Sequence, residues 1–312
     1  MGAYDHRRHV GNAGDVWKHF LLSEAAGFLM DSSRGSAAAP GLVYLESHAG
    51  RPDYTLRAPG EWQGGIGRIL PLISLHGGLR DFSYFDILAD LNSNRSDDTI
   101  TYPGSGRLIC ELAKKKKASL SAHLWDNDHD VAESWNCFLG QADHCRPSPP
   151  IQISFQEGDG FSGVVPWLQS SSSSSSSSYS SSFSLSSPFS PFSPGLLFID
   201  PPYVDPNDEP WARSLLKRAS SQGWTILWWY MTELRTMPRL SGDRDLAALE
   251  LQFEEAGLDG GKWKGSTVAL AGPQRNANGS IGMGEAEAGR FDRLIAHLEH
   301  QRKRLIRMLK SV

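Results

Sequence analysis

Several apolar runs of the chain end in a polar side chain that could bind a ligand. Asp200 closes the run Gly195–Asp200 and is followed at once by Pro-Pro-Tyr, which stiffens the backbone and supplies an aromatic ring. Asp126 and Asp159 close two earlier runs, and His48 ends the first. A single aspartate after a strand is commonly the start of a loop. Three aspartates among four such ends indicate a shared site.

The side chains at these ends suit a nucleoside. In an open parallel sheet, ligands bind beyond the carboxyl ends of the strands, so residues that end different strands meet in one place. A carboxylate such as Asp126, at the end of the second strand, commonly accepts hydrogen bonds from ribose hydroxyls. Asp159 and Gly160, after the third strand, could face an adenine ring. The pattern therefore predicts a cofactor that contains a nucleoside.

The elements that would position these residues follow from the apolar periodicity. Six runs are typical of buried strands, and a seventh, Leu246–Phe253, is ambiguous. The six runs are Gly41–His48, Leu120–Asp126, Ile151–Asp159, Gly195–Asp200, Thr225–Met231 and Ser266–Gly272. Helical segments lie between them, and a helix over residues 13–30 precedes the first run. This alternation predicts an α/β fold with a parallel, doubly wound, Rossmann-like sheet that has helices on both faces.

Two segments interrupt the alternation of strands and helices. Residues 60–105 lie in a connection that is too long for one crossover helix, and they are predicted to form a small helical insertion. Residues 170–194 form a serine-rich tract that cannot bury enough apolar area to offset its ordering entropy, which predicts a disordered loop. We expect one domain over residues 1–272, followed by a linker and a basic helix over residues 273–312.

The composition is that of a globular protein and argues against several classes of site. No apolar run approaches the roughly 18 residues that cross a bilayer, and the N-terminus lacks the apolar core of a secretory signal, which predicts a cytoplasmic protein. Three cysteines without Cys-x-x-Cys spacing predict neither a disulfide framework nor a zinc site. A net charge of −4 argues against a long basic groove. The clusters "HRRH" (6–9) and "KKKK" (114–117) could be solvated faces or local docking sites for a polyanion.

The N-terminal segment Tyr4–His19 carries a long motif, "YDHRRHVGNAGDVWKH". It resembles the N-terminal signature of the bacterial 23S ribosomal RNA adenine-N6 methyltransferases, a family once linked to catabolism of external DNA. The matching positions are Tyr4, His6, His9, Gly11, Asn12, Asp15, Lys18 and His19. In the family's order follow "ESHAG" (46–50), "YPGS" (102–105), "DGF" (159–161), "DPPY" (200–203), "LWYM" within 227–231 and "GSTVALA" (265–271). The likeness spans residues 4–272 apart from the serine tract.

The resemblance implies a class I methyltransferase fold with S-adenosyl-L-methionine as the cofactor. The motif Asp-Pro-Pro-Tyr is similar to that of enzymes that methylate the exocyclic amino group of adenine. Such an amine is a poor nucleophile because its lone pair is delocalised into the ring. Asp200 and the Pro201 carbonyl would accept both N–H bonds and direct the lone pair at the methyl group. Tyr203 would offer a face on which the extruded base stacks.

The resemblance also implies which residues bind the cofactor. They are Lys18, His19, His48, Ser105, Asp126, Asp159, Gly160 and Asp200. Lys18 and His19 would hold the methionine end, and His48 and Ser105 would line the pocket. Asp126 would bind the ribose in place of the family's glutamate. The aspartate and glycine that follow the third strand would meet the adenine.

A second set of residues is implied to act on the substrate. They are Asp200, Pro201, Tyr203, Tyr4, His6 and Lys18. Tyr4 and His6 would close over the substrate as a flexible N-terminal lid. Catalysis would rest on positioning and hydrogen bonding, without a strong base or a metal. The partner would be naked large-subunit ribosomal RNA, bound by a monomer.

One motif departs from the family's pattern. The usual turn after the first strand, "HAGAGRY" in form, is "HAGRPDY" here, so Pro52 stands in place of a glycine and cannot donate an N–H. Three functions fit the sequence. The chain could be an adenine-N6 methyltransferase of 23S ribosomal RNA, a DNA adenine-N6 methyltransferase, or a nucleic-acid-binding relative with weakened catalysis. The fold alone does not separate them.

Overall fold

The computed structural model describes residues 9–33, 41–93, 99–141, 150–169, 194–232, 246–273 and 284–311. The predicted lid residues Tyr4 and His6 lie outside the described residues, as does the serine tract over residues 170–193. Within the described ranges, strands and helices alternate along most of the chain, as the periodicity predicts.

The strands agree closely with the apolar runs. They are β1 Gly41–Glu46, β2 Asp53–Leu56, β3 Ile100–Pro103, β4 Ser119–Asp126, β5 Ile151–Glu157, β6 Gly195–Ile199, β7 Thr225–Met231, β8 Leu246–Gln252 and β9 Gly265–Ala271. All seven predicted runs are strands, the ambiguous Leu246–Phe253 among them. The short β2 and β3 are additional, because strands of four residues are too short for periodicity to reveal.

The helices occupy the connections between these strands. They are α1 Ala13–Ser32, α2 Ile66–Leu75, α3 Ser83–Leu91, α4 Ser105–Lys116, α5 His129–Gln141, α6 Gly160–Gly163, α7 Val165–Gln169, α8 Asp208–Ser221 and α9 Gly284–Lys310. None of the described helices is long and apolar enough to cross a membrane.

Seven strands form the central sheet, in the order β5-β4-β1-β6-β7-β9-β8. Five consecutive strands of this order, β5, β4, β1, β6 and β7, run parallel to one another. The chain builds outward from β1 on one side and from β6 on the other. The strand order therefore reverses between β1 and β6, and in open α/β sheets the ligand crevice lies at such a reversal.

The sheet departs from the all-parallel expectation at one edge. β9 runs antiparallel to both β7 and β8. The connection between β8 and β9 contains only a short 3-10 turn, Glu254–Ala256. Parallel pairing needs a crossover connection, usually a helix, whereas consecutive strands joined by a loop run antiparallel.

The helix that carries the first motif, α1, begins at a well-defined cap. The Asn12 side chain accepts a hydrogen bond from the Asp15 backbone N–H at 2.9 Å, and the Asp15 carboxylate accepts one from the Gly11 N–H at 2.7 Å. Gly11 has a φ of +76°, a conformation that suits glycine. α1 packs against α3, α4, α9 and the sheet, so it is buried on nearly all sides. Its polar side chains Lys18 and His19 are therefore held inside the protein.

The connection between β1 and β4 contains several short elements. It holds α2, α3 and two 3-10 turns, Glu61–Gln63 and Gly77–Asp81, between the antiparallel strands β2 and β3. The Gly104 N–H donates to the Pro52 carbonyl at 2.8 Å, which ties the two ends of this insertion together. A Cβ atom at Gly104 would lie 2.1 Å from the Arg51 carbonyl oxygen, so this closure requires glycine.

The predicted basic helix, α9, packs on the body of the protein. Leu294, Leu298 and Leu305 are buried in the same core as α1. The Arg302 side chain donates to the Glu250 carbonyl of β8 at 2.7 Å. The basic side chains of α9 thus accompany a buried apolar face, and the helix is a structural part of the described protein.

Candidate functional site

An open cavity of about 1360 Å³ lies at the carboxyl ends of β1, β4 and β6, beside the reversal of strand order. Six of the residues predicted to bind the cofactor line it: Lys18, His19, His48, Ser105, Asp126 and Asp200. Pro201 and Tyr203 line it as well. Residues from five separate segments of the sequence therefore surround one space, hereafter the central cavity.

Asp159 and Gly160 are not among the residues that line the central cavity. The exposed Asp159 carboxylate caps α6 by accepting hydrogen bonds from the Phe161 and Ser162 N–H groups at 3.1 and 3.2 Å. A Cβ atom at Gly160 would lie 1.7 Å from the Ser47 carbonyl oxygen, so glycine is needed where α6 approaches the end of β1. The pair adjoins the cavity through Phe161, whose ring lies 4.7 Å from that of His48. Their contact with an adenine ring stays a prediction.

Lys18 joins two carboxylates at the base of the central cavity. Its Nζ atom lies 2.6 Å from Asp200 Oδ2 and 2.8 Å from Asp15 Oδ1. The side chains of Lys18, Asp15 and Asp200 are 6%, 9% and 13% exposed. The Lys18 ammonium also lies 4.7 Å from the centroid of the Trp229 ring. Burial opposes the charge on Lys18, but the two carboxylates outweigh it and keep the pKa of Lys18 above its ordinary value.

The sequence prediction did not include Asp15 or Trp229 in the site. Asp15 matches the N-terminal signature and stands three residues before Lys18, so a helix places both on one face. That spacing was the available signal. Trp229 belongs to the "LWYM" match, but nothing in the sequence says which tryptophan of β7 faces the cavity.

The Asp-Pro-Pro-Tyr turn is held rigidly in place. Tyr203 has a φ of +56°, a strained value for a residue other than glycine. Its hydroxyl donates to the Trp229 carbonyl and accepts a hydrogen bond from Trp228 Nε1, the latter at 2.7 Å. Both partners belong to β7, the strand next to β6. These bonds fix the turn that carries Asp200 against the sheet.

His19 is oriented by the helical insertion. His19 Nδ1 lies 2.9 Å from the Tyr102 hydroxyl, which in turn lies 2.9 Å from the Tyr84 hydroxyl. Tyr102 belongs to β3 and Tyr84 to α3, and both are fully buried. The insertion therefore contributes to the site by holding a side chain of α1.

His48 and Asp126 face the cavity from neighbouring strand ends. Burial lowers the pKa of His48 to about 4, so its imidazole is neutral near pH 7. The Asp126 carboxylate accepts hydrogen bonds from the Gly50 N–H at 3.1 Å and the Asp128 N–H at 2.9 Å. Gly50 has a φ of +59°, which lets the turn after β1 approach Asp126. Pro52, where the motif departs from the family's pattern, does not line the cavity.

Glu46 is a buried carboxyl to which the sequence prediction gave no role. It ends β1 inside the "ESHAG" motif, and its side chain is fully buried. The Tyr44 hydroxyl donates to Glu46 at 2.9 Å, and the Ser105 hydroxyl donates to its other oxygen. Burial raises the pKa of Glu46 to about 8, and these two hydrogen bonds only partly offset the rise.

The pKa of Glu46 predicts a pH dependence of stability. The folded protein binds this proton more tightly than the unfolded chain, so the free energy of unfolding falls as the pH rises from about 4.5 to about 8. The contribution is at most about 1.4 kcal/mol per pH unit. Glu46→Gln keeps the shape without ionising, and we expect a flatter profile in urea denaturation between about pH 6 and pH 8.

The exposed Glu255 supplies the control for this experiment. Glu255→Gln should retain the pH profile of the unmodified protein, because the Glu255 carboxyl is in contact with water in the folded protein as well as in the unfolded chain. Superimposable profiles for Glu46→Gln and the unmodified protein would contradict a buried, protonated Glu46.

Within the described ranges, no group of three or more His, Cys, Asp or Glu side chains could hold a metal ion.

Known proteins resemble the chain in sequence. No family model matches it. It is 26% identical over 280 residues to the ribosomal RNA large subunit methyltransferase J of Escherichia coli (strain K12), across 86% of this chain and 85% of that protein. It is 26% identical over 136 residues to the Haemophilus influenzae protein of the same name, across 42% of this chain and 45% of the relative, so it matches less than half of that relative's length. These relatives confirm the resemblance that the motifs indicate.

The fold also has a counterpart among solved structures. A Legionella pneumophila protein assigned to DUF519 aligns with a TM-score of 0.58 and 21% identity, across 86% of this chain and 88% of that chain. This likeness concerns the fold alone. Together with the strand order it confirms the predicted doubly wound, Rossmann-like α/β architecture.

Proposed function

We propose that this protein is an S-adenosyl-L-methionine-dependent methyltransferase that acts on the N6 amino group of adenine in 23S ribosomal RNA. The observation that carries the proposal is the rigid Asp-Pro-Pro-Tyr turn at the central cavity, with Asp200 paired to Lys18. The names of the two relatives support ribosomal RNA as the substrate. The choice of adenine N6 rests on the turn.

The central cavity fits the predicted cofactor. Its volume of about 1360 Å³ leaves room for a nucleoside and a second ligand, and it lies where α/β sheets bind nucleotides. Asp126 would bind the ribose, and His19, His48 and Ser105 would line the pocket. A neutral His48 adds no positive charge beside a cationic sulfonium. When bound, the cofactor would supply the electrophilic methyl group.

Asp200 and Pro201 would prepare the target amine. The Asp200 carboxylate and the Pro201 carbonyl each accept a hydrogen bond from one N–H group of the amine. These two hydrogen bonds localise the lone pair on the nitrogen and orient it toward the methyl group. A carboxylate can accept about four hydrogen bonds, so the ion pair with Lys18 is compatible with a bond from the amine. Lys18 and Asp15 would hold the Asp200 carboxylate in one orientation. Catalysis would then rest on positioning.

The substrate would be an adenosine outside a regular duplex. An exocyclic amine can reach Asp200 in the cavity only after its adenine leaves the base stack. Extruding the adenine costs a few kcal/mol of free energy, and it costs least at a loop or a helix junction. Proteins bound around the target would obstruct entry into a cavity. We therefore expect naked large-subunit RNA to be a better substrate than assembled subunits or duplex DNA.

A methylation assay tests this prediction. The protein is incubated with isotopically labelled S-adenosyl-L-methionine and, separately, naked large-subunit RNA, whole large subunits and adenine-containing duplex DNA at equal adenine concentration. The products are digested and their nucleosides analysed. N6-methyladenosine formed chiefly in the naked RNA is the expected result. Faster methylation of the DNA would assign the protein to DNA, and a labelled nucleoside other than N6-methyladenosine would contradict the role of the turn.

A further inference from the structure

One loop on the wall of the central cavity has no part in the proposed binding of the cofactor or of the target amine. The turn Asp259–Trp263 lines the same cavity as Asp200, Pro202 and the exposed Val204. It lies in the connection between β8 and β9, just before the "GSTVALA" match. Lys262 is the cationic side chain of this turn, and it is exposed.

Internal hydrogen bonds and close packing give the turn a defined shape. The Gly261 N–H donates to the Asp259 carboxylate at 2.9 Å, and Gly261 has a φ of +62°. The Trp263 N–H donates to the Gly260 carbonyl at 3.1 Å. A Cβ atom at Gly260 would lie 2.2 Å from the Phe253 ring, so this position requires glycine. A turn built in this way holds its side chains in fixed positions.

Backbone hydrogen bonds also connect the turn to two other segments at the mouth of the cavity. The Asp259 N–H donates to the Gly64 carbonyl at 2.8 Å, and the Ile66 N–H donates to the Gly11 carbonyl at 2.9 Å. Three segments therefore form a continuous rim: the start of α1, the turn before α2, and the Lys262 turn. His9, the first residue of this part of the described structure, lines the cavity at this rim.

Lys262 is an exposed cation on the rim. Among the residues that the structure describes, no carboxylate lies within 4.0 Å of its Nζ atom, which lies 4.8 Å from the centroid of the Trp263 ring. Trp263 is half-buried and packs against the main core, so the ring that Lys262 contacts is held in a fixed position. The acidic side chains of the rim have other partners. Asp259 pairs with Arg68 at 3.4 Å, and Glu61 pairs with His9 at 2.9 Å.

The lysines of the "KKKK" cluster are arranged differently. Lys114 pairs with Glu111, Lys115 with Asp86 and Asp90, and Lys116 with Asp31. None of the cluster's lysines is among the residues that line the cavity. The ion pairs neutralise most of the charge that made the cluster a candidate docking site for a polyanion.

We propose that Lys262 binds a backbone phosphate of the RNA strand next to the target adenosine. The inference rests on the proposed function, since a base that enters the central cavity brings its flanking phosphates to the rim. A lysine binds phosphate as a point charge, and an exposed one gives up little hydration in doing so. Phosphate contacts of this kind orient the strand and carry no sequence information.

The test is equilibrium binding of naked large-subunit RNA at several salt concentrations, combined with the methylation assay. Lys262→Ala should weaken RNA binding roughly three- to tenfold near physiological salt and lower the slope of log K against log salt by about 0.7 to 0.9, the value of one phosphate contact. Lys262→Arg should restore both. Lys114→Ala removes the same charge away from the cavity and should change neither. Cofactor affinity should be equal in all four proteins.

The outcomes separate this inference from the proposed function. If the unmodified protein methylates RNA and Lys262→Ala matches it in affinity and salt slope, the inference is wrong and the function stands. If no protein methylates RNA but Lys262→Ala still lowers its affinity and the salt slope, Lys262 contacts RNA and the proposed reaction is wrong. If Lys114→Ala weakens RNA binding as much as Lys262→Ala, the effect is one of net charge, and the assigned contact is wrong.

Discussion

The Asp200→Asn variant should lose methyl transfer by a factor on the order of 10² to 10³ or more, the effect of removing one well-placed electrostatic group from an active site. The asparagine amide keeps the shape of the carboxylate, but one of its two oxygens is replaced by an NH2 group, which cannot accept a hydrogen bond from the target amine. The fold should persist because Lys18 retains its ion pair with Asp15 at 2.8 Å. Cofactor affinity should stay within a few fold, since Asp200 is proposed to face the amine.

Single-turnover methylation and calorimetry of cofactor binding measure these two quantities separately. Asp205→Asn is the matched control, because Asp205 lies in the same loop, is exposed and bonds to the Asn207 N–H outside the cavity. It should behave like the unmodified protein. If Asp200→Asn lost cofactor binding and activity together, Asp200 would be a cofactor ligand and its assignment to the target amine would fail.

The Lys18→Met variant should be destabilised by about 3–5 kcal/mol, the cost of removing one partner from a buried ion pair. Lys18 is the cation that the structure shows between Asp15 and Asp200, and all three side chains are nearly inaccessible to water. Methionine fills a similar volume but leaves two buried carboxylates facing each other. Urea denaturation near pH 7 measures the loss. Lys114→Met breaks an exposed pair with Glu111 and should cost less than about 1 kcal/mol.

The loss in Lys18→Met should depend on pH and on Asp15. Because the pKa of Lys18 is raised in the folded protein, its stabilising charge is fully present below about pH 10.4. A cation is needed only while the neighbouring carboxylates are ionised, so the stability difference between the two proteins should narrow under acidic conditions. Adding Asp15→Asn to Lys18→Met should restore part of the stability near pH 7. A gap that stayed constant with pH, and no recovery in the double variant, would show that packing rather than charge explains the loss.

The sequence predicted those parts of the structure that depend on local pattern. All seven central strands and α1 follow from apolar runs, and six residues predicted to bind the cofactor line one cavity. The reason is geometric: residues that end adjacent parallel strands must meet, whatever the loops between them do. The N-terminal signature supplied Lys18 and His19, which periodicity would have assigned to a polar helix face.

Contacts between distant residues were outside the reach of the sequence. The hydrogen bond of Lys18 to Asp200 joins positions 182 apart, and no local pattern encodes it. The hydrogen bond of Ser105 to the buried Glu46 joins positions 59 apart. Lys115 reads as part of a basic cluster until its tertiary partners, Asp86 and Asp90, are known. β8 and β9 run antiparallel because a loop, and not a crossover helix, connects them. The length of this connection does not reveal from the sequence which of the two it is.

The burial of α1 on nearly all sides has a consequence for how the chain folds. Its partners come from the whole sequence, as the hydrogen bond of Trp17 to Leu249 across 232 positions illustrates, and α9 supplies another part of its cover. Such non-local contacts form slowly because long loops must close first. Until they form, α1 exposes Trp17, Phe20 and Leu21 to water. The newly made chain therefore exposes an apolar segment until the later parts of the sequence that cover it have folded, and its yield should depend on chaperones that shield such segments.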